Sequence, residues 1–112
     1  ILKADMCELP FPDNSISYVF LSHSFEHCEN PLQALREFRR VLLAGGTLFM
    51  NTPYPTETQI MNMDKTHIFV LNQLQIQKLL YYAGLIPVHS YIVKPEENPD
   101  TWNIITTARV II

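Results

Sequence analysis

Two short amphipathic helices, each capped at both ends and set between apolar runs of strand length, limit the folds open to this chain more than any other feature. Asn30-Pro31 supplies an N-cap followed by proline at the first helical position, where a missing N–H costs nothing. Gln33, three residues on, completes a capping-box pattern. Leu32, Leu35, Phe38 and Leu42 then recur at helical spacing, with Arg36, Glu37, Arg39 and Arg40 as polar cover. Gly45-Gly46 is expected to end this helix. Asn72 and Gln75 repeat the capping pattern, Ile76, Leu79, Leu80 and Ala83 make one apolar face, and Gly84 closes the second helix.

The runs around these helices read as strands. Ile1 to Ala4 has the character of a strand's tail, and Leu9-Pro10-Phe11-Pro12-Asp13-Asn14 is turn chemistry. Ile16 to Leu21 is β-branched and aromatic with little polar interruption, which suits a strand buried on both faces. Thr47 to Asn51 is a second short buried strand, ended by Pro53 and Pro55. Thr56 to Thr66 lacks a period and reads as a loop with room for a helical turn. Ile86 to Val93 and Asn103 to Ile112 are two further strands. The polar Lys94 to Asp100 connection carries no helical pattern, so that last pair is expected to run antiparallel. Strand-helix alternation ahead of it implies parallel crossovers. The expected fold class is therefore α/β, with parallel strands, an antiparallel C-terminal pair and helices packed on the faces.

Size and composition narrow the function classes. A chain of 112 residues allows one domain. The net charge is -3 and the basic residues are scattered, so neither a nucleic-acid stripe nor a polybasic membrane patch is present. No apolar run approaches the ~20 residues of a membrane span. Cys7 and Cys28 read as two unclustered, reduced thiols, which points to the cytoplasm. The chain opens on Ile1 and not on methionine, and sequence ahead of it is expected.

The order of motifs carries a resemblance. Asp5-Met6-Cys7-Glu8-Leu9-Pro10-Phe11-Pro12-Asp13-Asn14-Ser15 is followed by His23 to His27, by Asn30-Pro31 and Ala34-Leu35-Arg36-Glu37, and by Arg40-Val41-Leu42-Leu43-Ala44-Gly45-Gly46. Asn51-Thr52-Pro53-Tyr54-Pro55, Asp64-Lys65-Thr66-His67 and Tyr82-Ala83-Gly84-Leu85 come next. In this order the chain resembles the C-terminal portion of a class I S-adenosylmethionine-dependent methyltransferase of the type 11 or type 23 kind. Leu43-Ala44 stands where that family usually has Lys-Pro, and Ser17 where it usually has an acidic residue.

The resemblance implies a partial Rossmann-like sheet. The family's strand order is 3-2-1-4-5-7-6, and residues 1–112 would form a partial domain supplying strands 3 to 7. The Gly-rich turn after strand 1 and the acidic residue after strand 2, which hold the methionine part and the ribose of the cofactor, are not in this sequence. Gly45-Gly46 cannot replace the turn, because it precedes a strand. Strands 1 and 2 normally fill the place beside strand 4. That edge is expected to be closed by homodimerisation, by a shifted first strand, or by a separate N-terminal half.

The same resemblance assigns candidate site residues. Asp5 would accept the adenine amino group and the backbone of Met6 would face the ring, although Asp5 also suits a simple turn cap. Ser22 and His23 would line the cofactor side beyond the fourth strand. Imidazole exchanges protons near neutral pH, so His23 is also the candidate general base. Tyr54 and His67 would lie on the acceptor side, with packing as the alternative for Tyr54. Trp102 and Tyr91 are read as edge or interface residues.

His23-Ser24-Phe25-Glu26-His27 also spells H-x-x-E-H, a zinc-protease pattern when it lies on one helix. Here it leaves a strand, which argues against that use. A divalent metal held by His23, Glu26, His27 and His67 is a related alternative, and no metal is the primary expectation. The activity implied is methyl transfer from S-adenosylmethionine to a small molecule, with this chain inactive by itself. The competing reading is a truncated domain that serves as an interaction module through its exposed sheet edge.

Overall fold

The computed structural model describes residues 5–56 and 71–110. Strands β1 (Ile16–Ser22), β2 (Leu42–Pro53), β3 (Ile86–Val93) and β4 (Asn103–Arg109) form one sheet in the order β1-β2-β4-β3. β1 and β2 are parallel, and β4 runs antiparallel to both of its neighbours. This is the 4-5-7-6 part of the order expected from the sequence. The stretch Ile1 to Ala4, expected to be strand 3, lies outside the described residues, as does most of the Thr56 to Thr66 loop.

Helices α1 (Pro31–Val41) and α2 (Gln73–Ala83) pack against each other and against the sheet. The Asn30 side chain accepts the Gln33 N–H, and Asn72 with Gln75 forms a complete capping box. Gly84 ends α2 at φ 84°, a left-handed cap that a side chain would strain. Leu35 and Phe38 of α1 meet Ile76 and Leu80 of α2 over Leu48, Met50 and Ile104 of the sheet, all almost fully buried. Each such side chain contributes about 1.5–3 kcal/mol on leaving water.

Two expectations are corrected here. β1 is not buried on both faces: Tyr18 and Phe20 are 51% and 58% exposed. β1 is an edge strand among the described residues, and it turns Val19 and Leu21, not Tyr18 and Phe20, to the core that both helices share. Phe20 instead stacks on Phe49 of β2 at 5.0 Å.

Gly45-Gly46 does not end α1. The helix stops at Val41, and Leu42 already begins β2. The reason is nonlocal: the exposed carbonyls of Arg40 and Val41 accept the N–H groups of Asn14 and Ser15 at 2.9 and 2.8 Å. The glycines form a bulge within β2, where the pairing with β1 jumps from Ile16↔Leu42 to Tyr18↔Thr47. Gly45 has φ 77° and donates to Val110 O at 2.7 Å.

Candidate functional site

The segment ahead of β1 is held in place by α1. Glu8 donates to Asp5 O at 3.0 Å, and the Cys7 N–H donates to Asp5 Oδ1 at 2.8 Å, which closes a turn over Asp5–Glu8. Beyond it, Arg40 donates to Leu9 O at 3.1 Å, Phe11 O at 2.9 Å and Asp13 Oδ1 at 2.7 Å. The same guanidinium grips both oxygens of Glu37, whose Oε1 also accepts the Leu9 N–H at 2.8 Å. Glu37 and Arg40 are therefore not the polar cover expected of them: Glu37 is buried at 9% exposure and the pair clamps the loop to the helix. The Arg40 hydrogen bonds hold the Glu37 carboxyl below the usual range, against the opposing pull of burial.

The clamp fixes one wall of a pocket of about 380 Å³, lined by Asp5, Met6, Cys7, His27, Cys28, Glu29 and Asn30. Its opposite wall is the short 3₁₀ turn Phe25–His27 and the start of α1. Asp5 and Met6, paired on the sequence, are neighbours here. His27, Cys28 and Asn30 join them, and only His27 had drawn attention, as a metal alternative. The adjacency of the two cysteine-bearing segments was the missed signal. Cys7 and Cys28 are not unclustered: their sulfurs lie 3.8 Å apart. Burial, followed by the contact with Cys28, pushes the Cys7 thiol up to about 11.

Ser22 and His23 stand at the C-terminal end of β1 and are not part of that pocket's wall. His23 is exposed, adopts φ 51° and donates its N–H to Asn51 O at 2.9 Å. A left-handed histidine is uncommon and costs strain, which the bond to β2 helps to hold. Glu26 is 1% exposed, and neither of its oxygens has a hydrogen-bond partner among the described residues. His27 Nε2 lies 4.0 Å from its Oε1.

Tyr54 is half-buried, donates its N–H to Trp102 O at 3.0 Å and packs edge-on against the Trp102 ring at 5.3 Å. Trp102 is tied in turn to Glu96 O through its indole N–H at 2.8 Å. Tyr91 is exposed on β3, and His67 lies outside the described residues. Among the described residues no group of three His, Cys, Asp or Glu side chains could hold a metal ion.

A family model described as a methyltransferase domain matches residues 1–50. A probable S-adenosylmethionine-dependent methyltransferase of Mycobacterium tuberculosis is 30% identical over 91 residues, covering 79% of this chain and 33% of its own length. These matches support a class I S-adenosylmethionine-dependent methyltransferase. Solved methyltransferase structures share its fold at lower identity. The complex between the Haloferax volcanii Trm112 methyltransferase activator and its methyltransferase candidate matches with a TM-score of 0.85 at 17% identity, over 99% of this chain and 61% of that one. The 1,6-didemethyltoxoflavin-N1-methyltransferase of Burkholderia thailandensis, solved with its namesake compound and S-adenosylhomocysteine, matches at 0.74 and 15%, over 96% and 48%. The chain spans only 20% to 33% of the length of the curated relatives it matches. No described helix is long and apolar enough to cross a membrane.

Proposed function

We propose that the chain is the strand-3-to-7 part of an S-adenosylmethionine-dependent methyltransferase domain that acts on a small-molecule acceptor. The observation that carries this reading is the pocket between the Asp5–Cys7 turn and the start of α1. Its volume of about 380 Å³ suits a purine ring. Asp5 Oδ1 is engaged by the Cys7 N–H, while Oδ2 is open to accept an amino N–H. These residues fit the adenine end of the cofactor.

Bound S-adenosylmethionine supplies the methyl group. In this reading Asp5 orients the adenine and the Met6 backbone faces it. Ser22 and His23 line the reacting end, and His23 accepts the acceptor's proton at a ring nitrogen. Tyr54 and His67 shape the acceptor side. The Gly-rich half of the site comes from outside these residues, so the chain alone transfers no methyl group. Equilibrium dialysis with labelled S-adenosylmethionine tests this. Weak binding, reduced about three- to tenfold by Asp5→Ala, is expected for one lost hydrogen bond. Micromolar binding by the chain alone would overturn the half-site reading, and an unaffected D5A variant would remove Asp5 from it.

A second reading rests on a separate observation. Tyr18 and Phe20 are exposed on an edge strand, which suits a chain that assembles through that edge, with a second copy or with a separate N-terminal half. Sedimentation of the purified chain distinguishes the two, as set out below.

A further inference from the structure

The chain's two cysteines, 21 positions apart in sequence, meet with their sulfurs 3.8 Å apart. A disulfide has an S–S distance of about 2.05 Å, so closure requires an approach of about 1.8 Å. The two sulfurs differ in access. Cys7 is half-buried on the pocket wall, and Cys28 is 6% exposed at the foot of α1. Among the described residues, the acceptor near the Cys7 sulfur besides Cys28 is Asn30 O at a long 3.5 Å. No strong hydrogen bond from a described residue holds either thiol away from the other.

We propose that Cys7 and Cys28 form a reversible internal disulfide, a modification site that ties the Asp5–Met6 turn to the start of α1. The co-reactant is a small disulfide such as oxidised glutathione. The Cys7 thiol loses its proton to solvent, and its sulfur attacks one glutathione sulfur. The glutathione S–S bond breaks, a Cys7–glutathione bond forms, and one glutathione leaves as thiolate. Cys28, likewise deprotonated, then attacks the Cys7 sulfur and expels the second glutathione. Two protein thiols are oxidised, one glutathione disulfide is reduced to two thiols, and the two released protons are taken up by the leaving thiolates.

Groups around the pair set its rate. The carboxylates of Asp5 and Glu37 oppose a thiolate at Cys7, and His27 and Glu29 complete the titratable groups on the wall. With the thiol pushed up to about 11, roughly one Cys7 in ten thousand is thiolate at pH 7. Exchange is therefore slow near neutrality and speeds up about tenfold per pH unit below that value. The closed form adds a covalent tie between the turn that carries Asp5 and the start of α1, and the open form leaves that turn held by its hydrogen bonds and by packing alone.

The test is equilibration of the whole chain with mixtures of reduced and oxidised glutathione at pH 8.5, acid quenching, alkylation of remaining thiols and intact-mass analysis. The native chain is expected to reach a monomeric form that takes up no alkylating agent and no glutathione. Its equilibrium constant should exceed that of the same chain in 6 M guanidinium chloride by at least tenfold, because the fold brings the sulfurs together (~10-fold, a conservative bound from loop closure). In Cys28→Ser the reaction should stop at the Cys7–glutathione adduct. Cys7→Ser should take up glutathione more slowly than Cys28→Ser. Persistent mixed disulfides in the parent, disulfide-linked dimers, full alkylation under excess oxidised glutathione, or an equal constant in denaturant would each overturn the proposal.

Discussion

Arg40 holds Glu37 through two parallel hydrogen bonds, Nε to Oε2 at 2.8 Å and Nη2 to Oε1 at 2.7 Å. The guanidinium also donates to the backbone of Leu9 and Phe11 and to the Asp13 carboxylate, so one pair joins helix α1 to the loop that precedes β1. Arg40→Ala would leave a buried carboxylate with only the Leu9 N–H. We expect a lower urea unfolding midpoint, because the carboxylate stays buried without its charged partner. Arg40→Lys keeps the charge but not the fork, and should recover less than half of that loss. A variant as stable as the parent would show that the clamp contributes nothing.

The two perturbed groups near this loop bound stability on opposite sides of neutral pH. Glu37 has its folded pKa lowered, so its contribution is present above the unfolded carboxylate pKa and is lost as pH falls through the folded one. Cys7 is raised from 9.0 to about 11, so its contribution is intact below 9.0 and is lost as pH rises toward about 11. Thermal unfolding across pH should show both limbs. Cys7→Ser should flatten the alkaline limb and leave the acid limb in place.

Gly46 admits no side chain. A Cβ there would lie 2.7 Å from the backbone oxygen of Leu43, and the neighbouring Gly45 sits at φ 77°. Gly46→Ala and Gly45→Ala should each cost about 1–3 kcal/mol, the first by displacing backbone and the second by backbone strain. Denaturant midpoints measure both. Wild-type stability in Gly46→Ala would mean that the β2 bulge is differently shaped.

The apolar edge of β1 should drive association. Sedimentation velocity at rising concentration is expected to show the chain as a dimer or larger, and Phe20→Lys should shift it toward monomer by charging the exposed face. A parent that stays monomeric with Tyr18 and Phe20 in water would contradict this.

How much was legible in the sequence follows from how local each signal is. The caps at Asn30, Asn72 and Gly84 act within a few residues, and the structure reproduces them. The start and end of β3, the start of β4 and their antiparallel pairing were legible as well, while β4 ends at Arg109, short of the expected Ile112. The end of α1 was misread because its last carbonyls are taken up by Asn14 and Ser15, each 26 positions before its partner, Arg40 or Val41. Glu37 and Arg40 fall on the polar side of a helical pattern, and the folding back of Leu9–Asp13 brings the loop onto both. The exposure of Tyr18 and Phe20 depends on which strands and helices lie beside β1, which a run of apolar residues does not encode. Asp5 and Met6, singled out through the ordered motifs, line one pocket, whereas the meeting of Cys7 with Cys28 needed the tertiary fold.

The central claim is that the turn at Asp5 and the start of α1 form the adenine side of a methyltransferase site that is incomplete in these residues. Amide chemical shifts of the chain, followed during titration with S-adenosylhomocysteine, test it most directly. The account predicts weak, unsaturated shifts concentrated at Asp5–Glu8 and His27–Asn30. Tight saturable binding, or shifts that avoid both segments, would contradict it.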